Sequence, residues 1–262
     1  MEILIILIVS FIAGIVTGLI GASGVMIVVP ALVALGYNTA DAIGASLFIN
    51  VMAALVAAWT YYKNKNINLK QGIWITIGSV IGAQLGSFLS KFIPDIGLGK
   101  AFSVFLLLSA LIFIIRGIKD IKYGDDFFDK SANKSNFIIK FLKSNVTLTG
   151  LILGFFVGIL CGILGAGGGV MILLILVFIM QYPLHIGIGT SNLIMAFTAA
   201  SGTIGHALTA NLPLKPSLIG SVGTVIGCLF AAKFANRIDE KLLSIIVGTV
   251  FAILGVIMIV IL

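Results

Sequence analysis

Long apolar runs separated by short polar connections follow one another along the whole chain of 262 residues. In the first half these runs cover about 3–20, 25–35, 42–62, 71–92 and 98–115. The runs at 102–115 and 242–262 are apolar on every face, whereas strands of a membrane barrel would alternate apolar and polar residues. Because a helix needs roughly 20 apolar residues to span a hydrocarbon core of about 30 Å, the pattern predicts an all-α polytopic membrane protein.

The second apolar run of each half is too short to span a bilayer. Residues 25–35 would form a helix only about 16 Å long, between a glycine-rich loop and the turn at 36–39. The matching run at 170–180 is equally short and ends before Pro183, which cannot continue a helix comfortably. A broken or re-entrant helix is therefore predicted in each half.

One apolar passage occurs twice in the chain, at 11–27 and at 155–172, and each copy is interrupted by a glycine-rich loop. An offset of 144 residues before a one-glycine insertion, and of 145 after it, aligns the two halves and pairs Ser46 with Ser191. The alignment predicts two homologous halves with four to five helical segments each. The predicted organisation is a first membrane repeat at 1–119, a charged linker at 120–145 and a second membrane repeat at 146–262.

Composition agrees with this pattern, since 60% of the residues are hydrophobic and only 10% are charged. That balance excludes a soluble globule of this length. The net charge of +7 does not indicate nucleic-acid binding, because the basic residues lie in short connections instead of forming one face. Cys161 and Cys228 both lie inside apolar runs, so neither a disulfide nor a metal site is expected, and no cofactor is predicted.

The distribution of basic residues predicts the orientation in the membrane. Residues 116–145 carry seven Lys or Arg, so this linker is expected in the cytoplasm. If the short segments count as crossings, the halves are inverted and 13 basic residues lie inside against 3 outside. If they do not, the halves run parallel and the numbers become 11 and 5. The inverted arrangement is favoured.

The two glycine loops are the candidate binding site. Backbone at bilayer depth can leave the helical form only where it is buried in protein or lines a wet cavity. Amides at the start of a half-helix carry partial positive charge, so the natural guest is an anion. Small hydroxyl and amide side chains at the start of the third segment of each half would add neutral hydrogen bonds. The candidate residues are Gly21, Ala22, Ser23, Gly24, Gly165, Gly167, Gly168 and Gly169 in the loops, with Ser46, Asn50, Thr190, Ser191 and Asn192 beside them.

Other small and aromatic residues have simpler explanations. Gly14, Gly18, Gly158 and Gly162 have the small-xxx-small spacing that lets membrane helices pack closely, and Gly78, Gly82, Gly223 and Gly227 are interpreted in the same way. Trp59, Tyr61, Tyr62 and Trp74 surround one polar loop and are interpreted as an aromatic belt at the membrane surface.

The chain resembles the sulfite exporter TauE/SafE family of membrane permeases over nearly its whole length. The resemblance rests on the G-x-x-G-x-G-G-G-like loop at 162–169, its degenerate copy at 18–24, and the elements at 44–46 and 189–191 that follow them. The basic turn at 61–70 also matches. The resemblance implies a transporter in the inner membrane of a bacterium or archaeon, moving small, often sulfur-containing anions such as sulfite, thiosulfate or sulfonates.

The leading hypothesis is a secondary transporter, not an enzyme, which moves an oxyanion by alternating access at a midplane site. Its partners would be the lipid bilayer and a small anion, with proton coupling and homo-oligomer formation left open. A passive anion channel is the nearest alternative. An intramembrane serine protease with Ser23 as nucleophile and His206 as base is less favoured, because the equivalent of Ser23 is Gly167 and the repeat preserves the loop instead of the hydroxyl.

Overall fold

The computed structural model describes residues 2–90, 95–123, 146–164, 168–209 and 212–261. Within these ranges the chain forms ten α-helices and no strand, which confirms the predicted all-α class. The helices are α1 Glu2–Ile20, α2 Val25–Ala34, α3 Thr39–Lys63, α4 Leu69–Ser90, α5 Asp95–Tyr123, α6 Val146–Leu164, α7 Gly169–Leu174, α8 Leu184–Thr209, α9 Leu214–Ala235 and α10 Glu240–Ile261.

Four helices are long and apolar enough to cross a bilayer, judged on the described residues by length and composition. They cover Glu2–Ile20, Asp41–Lys63, Leu214–Ala235 and Glu240–Ile257. Large apolar side chains face outwards, and Phe230, Ile204 and Phe156 are each at least 60% exposed. A water-soluble surface would not carry so many of them, whereas lipid tails solvate them. The protein is a multi-pass membrane protein.

Both predicted short segments form short helices. Helix α2 has ten residues and contains Pro30, and the turn that follows it holds Gly36 at a φ of +94°. Helix α7 has six residues and continues as a single π-helical stretch over Ile175–Ile179, after which Gln181 takes a φ of +57°. Each segment therefore ends in a left-handed turn after about half the length that a bilayer requires.

Helix α5 is longer than the apolar pattern indicates, because it continues to Tyr123 and so enters the predicted linker. The rest of that linker, residues 124–145, lies outside the described residues.

Helix α1 packs against α9 with the two backbones in direct contact. A Cβ on Gly18 would lie 2.7 Å from the carbonyl oxygen of Cys228. Likewise, a Cβ on Gly223 would lie 2.6 Å from the carbonyl oxygen of Leu7. Such distances exclude any side chain, so these glycines have the packing role expected from their spacing.

Helix α4 packs against α6 in the same manner. A Cβ on Gly78 would collide with the carbonyl oxygen of Leu151, and one on Gly158 would lie 2.9 Å from the backbone nitrogen of Ala83. In the sequence alignment α6 corresponds to α1, and α9 corresponds to α4. The first helix of each half therefore packs on the fourth helix of the other.

The contact register gives the relative direction of each pair. Residue numbers rise together along α1 and α9, where Leu7 meets Gly223 and Gly18 meets Cys228, so these helices run in the same direction. The same is true of α4 and α6, in which contacts advance from Trp74 with Gly150 to Ala83 with Gly158.

Two other pairs run in opposite directions. Along α3 and α8, Leu47 meets Gly202, whereas Tyr61 meets Gly189. Along α5 and α10, Gly117 lies beside Ile245, whereas Gly255 lies beside Leu107. In the alignment α3 corresponds to α8 and α5 to α10, so each of these helices runs opposite to its own counterpart.

Candidate functional site

The first glycine loop begins where α1 ends. Gly21 donates a backbone hydrogen bond to the carbonyl oxygen of Thr17 at 2.9 Å and takes a φ of +68°, which L side chains rarely adopt. A Cβ at this position would collide with Oγ of Ser191 and lie 3.3 Å from Nδ2 of Asn192. Glycine is thus required both by the backbone and by the closeness of helix α8.

The start of α7 also contacts this loop. A Cβ on Gly169 would collide with the carbonyl oxygen of Gly21 and would lie 3.2 Å from the Cα of Ala22. Gly168, the residue before α7, takes a φ of +66°. Elements far apart in the sequence, namely the loop after α1 and the starts of α7 and α8, therefore meet at one place.

Helix α2 begins at the other end of the first loop, and its first backbone amides have side-chain partners. The N–H of Gly24 donates to Oδ1 of Asn50 at 3.3 Å, and the N–H of Val25 donates to Oγ of Ser23 at 3.3 Å. Asn50 lies on α3, so this bond fixes the loop to a helix that does not belong to the break itself. Such caps satisfy amides that a helix start leaves without partners.

The second half differs at the position aligned with Asn50. Met195 occupies the position that aligns with Asn50, and its Sδ would lie 2.8 Å from a Cβ on Gly169. An amide hydrogen bond in the first half thus corresponds to a thioether contact in the second. The surroundings of Gly24 and Gly169 are chemically unequal.

Asn192 joins α8 to the end of α1. Its Nδ2 donates to the carbonyl oxygen of Ile188 at 3.0 Å and to that of Thr17 at 3.4 Å. The side chain is completely buried. The residue aligned with it in the first half is Leu47, so this amide also has no counterpart.

The two serines of the candidate site use their protons within their own helices. Ser46 donates to the carbonyl oxygen of Ala42 at 2.7 Å, and Ser191 donates to that of Ile188 at 2.9 Å. In this conformation each hydroxyl therefore presents acceptor lone pairs, not a donor, to its surroundings.

Thr190 faces a different connection. Its Oγ1 accepts a hydrogen bond from the backbone N–H of Asn68 at 3.0 Å, in the loop between α3 and α4. Next to it, a Cβ on Gly189 would collide with the carbonyl oxygen of Asn66. The hydroxyl of Thr190 thus attaches α8 to the α3–α4 loop, not to the glycine loops.

Tyr61 corrects one sequence-based interpretation. Trp59 and Tyr62 are 59% and 51% exposed, as expected for an aromatic belt, but Tyr61 is fully buried. Its hydroxyl donates to the carbonyl oxygen of Gly18 at 3.0 Å, near the end of α1. Helical periodicity explains the difference, because a residue adjacent in sequence lies about 100° away around the helix.

The predicted site is enclosed. Of its thirteen candidate residues, Gly165 and Gly167 lie outside the described residues, and the other eleven are all buried. None of the thirteen is ionisable. Nor does the described part of the chain contain three His, Cys, Asp or Glu side chains grouped closely enough to hold a metal ion.

A hydrogen-bonded histidine and glutamate lie elsewhere, between the starts of α8 and α10. Nδ1 of His185 is 3.3 Å from Oε1 of Glu240, and its Nε2 is 2.9 Å from the carbonyl oxygen of Ala235. These bonds join the ends of three helices in the second half. They do not involve the glycine loops.

Comparison with known proteins agrees with this architecture. The profile of the family described as sulfite exporter TauE/SafE matches residues 6–258. Probable membrane transporter protein YunE of Bacillus subtilis is 25% identical, over 97% of this chain and 96% of its own length. Probable membrane transporter protein MJ0441 of Methanocaldococcus jannaschii is 28% identical, over 96% of this chain and 93% of its own. No solved structure matches the chain significantly.

Proposed function

This chain belongs to the sulfite exporter TauE/SafE family, and we propose that it is a secondary transporter of small oxyanions, in particular sulfur-containing ones such as sulfite or organosulfonates. That it is a membrane transporter, and not a protease acting through Ser23, follows from the family. The substrate and the mechanism are our proposal.

The observation that carries the proposal is the meeting of the first glycine loop with the starts of α7 and α8. The loop leads directly into the start of α2, and Gly169 and Ser191 from the other half lie against it. Half-helix starts near the middle of a membrane protein attract anionic groups through their amides and the helix dipole.

The neutral character of the site supports a carrier. An anion held by neutral donors alone is bound more weakly than one that also faces Arg or Lys, because a full opposite charge adds Coulombic attraction. A transporter must release its substrate on the other side of the membrane. Neutral donors therefore suit turnover better than a fixed positive charge.

We infer that the halves are inverted and that they rock against each other to give alternating access. The helix directions support this inference, since α3 runs opposite to α8 and α5 opposite to α10. Parallel halves would orient each helix and its counterpart in the same direction. The exchanged pairs, α1 with α9 and α4 with α6, run in the same direction, which is compatible with inversion.

The proposed location is the plasma membrane of a prokaryote, with the 124–145 linker in the cytoplasm. With inverted halves, the basic residues of the α3–α4 and α9–α10 connections lie on the same side as that linker. Positive charge is retained on the cytoplasmic side during insertion, which supports this orientation.

Uptake into proteoliposomes tests the proposal. Purified protein should give saturable flux of sulfite or a small sulfonate, inhibited by other oxyanions, whereas flux of potassium should stay at the level of empty vesicles. Absence of saturable oxyanion flux, together with cation flux, would refute an anion transporter. Single-channel conductance steps would instead identify a passive channel, which the buried candidate residues of this conformation do not favour.

A further inference from the structure

Two buried amide atoms beside the first glycine loop have no hydrogen-bond partner within the part of the chain that the structure describes. They are Nδ2 of Asn50, a donor, and Oδ1 of Asn192, an acceptor. The side chains are 2% and 0% exposed. Since the great majority of buried polar atoms in proteins are hydrogen-bonded, a donor and an acceptor left without partners beside one loop require an explanation.

The orientation of both amides is determined by their other atom. Oδ1 of Asn50 accepts from the N–H of Gly24, and Nδ2 of Asn192 donates to the carbonyl oxygens of Thr17 and Ile188. If O and N of Asn50 were exchanged, its NH2 group would face the N–H of Gly24. If those of Asn192 were exchanged, its oxygen would face two carbonyl oxygens. The unpaired atoms are therefore a donor on α3 and an acceptor on α8.

Both amides flank the same four-residue loop. Asn50 is bonded to Gly24, and Nδ2 of Asn192 lies 3.3 Å from the Cβ position of Gly21. Consecutive Cα atoms are 3.8 Å apart, so these two glycines are separated by at most about 11 Å. The donor therefore lies at one end and the acceptor at the other end of the loop that leads into the ten-residue helix α2.

These two atoms indicate which protonation state of the substrate the protein binds. This inference rests on the proposed function and goes beyond it. A fully deprotonated oxyanion can only accept hydrogen bonds, so it would satisfy Asn50 and leave the acceptor of Asn192 facing a negative charge. An oxyanion that retains one acidic O–H can accept from Asn50 and donate to Asn192. We propose that this site selects the proton-bearing monoanion of an oxyanion over the corresponding dianion.

The charge of the site agrees with this selection. None of the candidate residues is ionisable, so no side chain among them would neutralise a second negative charge. The Born cost of transferring an ion out of water rises with the square of its charge, so a dianion costs about four times as much as a monoanion of equal size. A neutral site with one spare donor and one spare acceptor suits the smaller charge.

Among the described residues, the titratable side chains next to the first glycine loop keep their protons in hydrogen bonds to backbone, so they do not supply a pH dependence of their own. The hydroxyl of Tyr61 on α3 donates to the carbonyl oxygen of Gly18, and the thiol of Cys228 on α9 donates to that of Ala53. Each proton is held in a buried hydrogen bond to backbone. The protonation of the substrate itself should then govern the pH dependence of transport.

Selenite and selenate provide the probe in proteoliposomes containing the full-length protein. Near neutral pH selenite is mainly a monoanion with one O–H, whereas selenate is a dianion with none. We expect saturable selenite uptake at least ten times faster than selenate uptake. At constant total sulfite, uptake should also rise as the pH is lowered from about 8 to about 6, following the monoanion concentration.

The variant Asn192→Leu removes the acceptor and introduces the residue found at the aligned position, Leu47. It should lose most of the preference for selenite. The matched control is Thr198→Val on the same helix, whose hydroxyl donates only to its own helix carbonyls and whose loss should leave the preference unchanged.

The outcomes separate this inference from the proposed function. Saturable uptake of both oxyanions at equal rates, or sulfite uptake that follows the dianion, would overturn the monoanion selection and leave oxyanion transport intact. Absence of saturable uptake of any oxyanion by well-folded protein would overturn both. The comparison of selenite with selenate on the unmodified protein tests the selection of the monoanion even if Asn192→Leu does not fold.

Discussion

The side-chain oxygen of Asn50, in the middle of α3, accepts a hydrogen bond from the backbone N–H of Gly24 at the start of α2. One bond thus connects the glycine loop to a long helix of the same half. In the other half the aligned residue is Met195, which contacts Gly169 without offering a comparable acceptor. The backbone of the first loop is thus held to α3 by a polar side chain.

Replacing Asn50 by the residue of the other half, Asn50→Met, should leave a foldable protein with little transport. The N–H of Gly24 would lose its acceptor and the site its spare donor, and loss of such a cap costs about 1 kcal/mol. We expect the rate of saturable sulfite uptake to fall at least tenfold. Melting temperature in detergent serves as the control for folding, and uptake equal to that of the wild type would show that Asn50 has no part in transport.

Gly21→Ala should destabilise the protein more than Gly36→Ala. Both glycines have positive φ, which costs a non-glycine residue about 1–2 kcal/mol, but only at Gly21 would the new Cβ also collide with Ser191. At Gly36 no atom lies within 4 Å of the Cβ position. The measurement is the unfolding temperature of both variants. Equal shifts would mean that the loop and α8 are not in contact.

Tyr61→Phe should lower the free energy of unfolding by about 1 kcal/mol, whereas Tyr62→Phe should have no effect. The hydroxyl of Tyr61 is buried and bonded to the carbonyl oxygen of Gly18, and its removal leaves that buried acceptor unpaired. Tyr62 is half exposed on the next helical position. Chemical or thermal unfolding of the two variants in the same detergent makes the comparison, and the reverse order would contradict the assignment.

Single cysteines at positions 65 and 237 test the inverted arrangement. In a background without Cys161 and Cys228, both new cysteines should react with a membrane-impermeant thiol reagent only after the cytoplasmic side is opened. Inverted halves place the α3–α4 and α9–α10 connections on one side, whereas parallel halves place them on opposite sides. Labelling of position 237 alone in intact cells would rule out inversion.

Much of the architecture could be predicted from the sequence because its causes are local. A run of about 20 apolar residues lowers its free energy by crossing a bilayer as a helix, whatever its neighbours are. Helices α2 and α7 are short because the apolar runs that form them are short. The chain leaves the helical form before them because glycine adopts conformations that other residues avoid. These features occur twice in the same order, and this order is the basis of the family resemblance.

The partners of the polar side chains could not be predicted in this way. Thr190 and Ser191 are adjacent in the sequence, yet one bonds to the α3–α4 loop and the other lies against Gly21. Tyr61 is buried although its neighbours Trp59 and Tyr62 are exposed. Each of these outcomes depends on which face of a helix meets another helix, and apolar runs without a polar face carry no signal of that choice.

The sequence alone determined that this chain is an all-helical membrane protein of a transporter family, with two glycine breaks at matching positions. Only the tertiary structure decided that Gly169 meets Gly21, that Asn50 caps α2 and that α3 runs opposite to α8. The physical reason is that burial in lipid depends on composition along one segment, whereas backbone contact between distant glycines depends on how close whole helices approach.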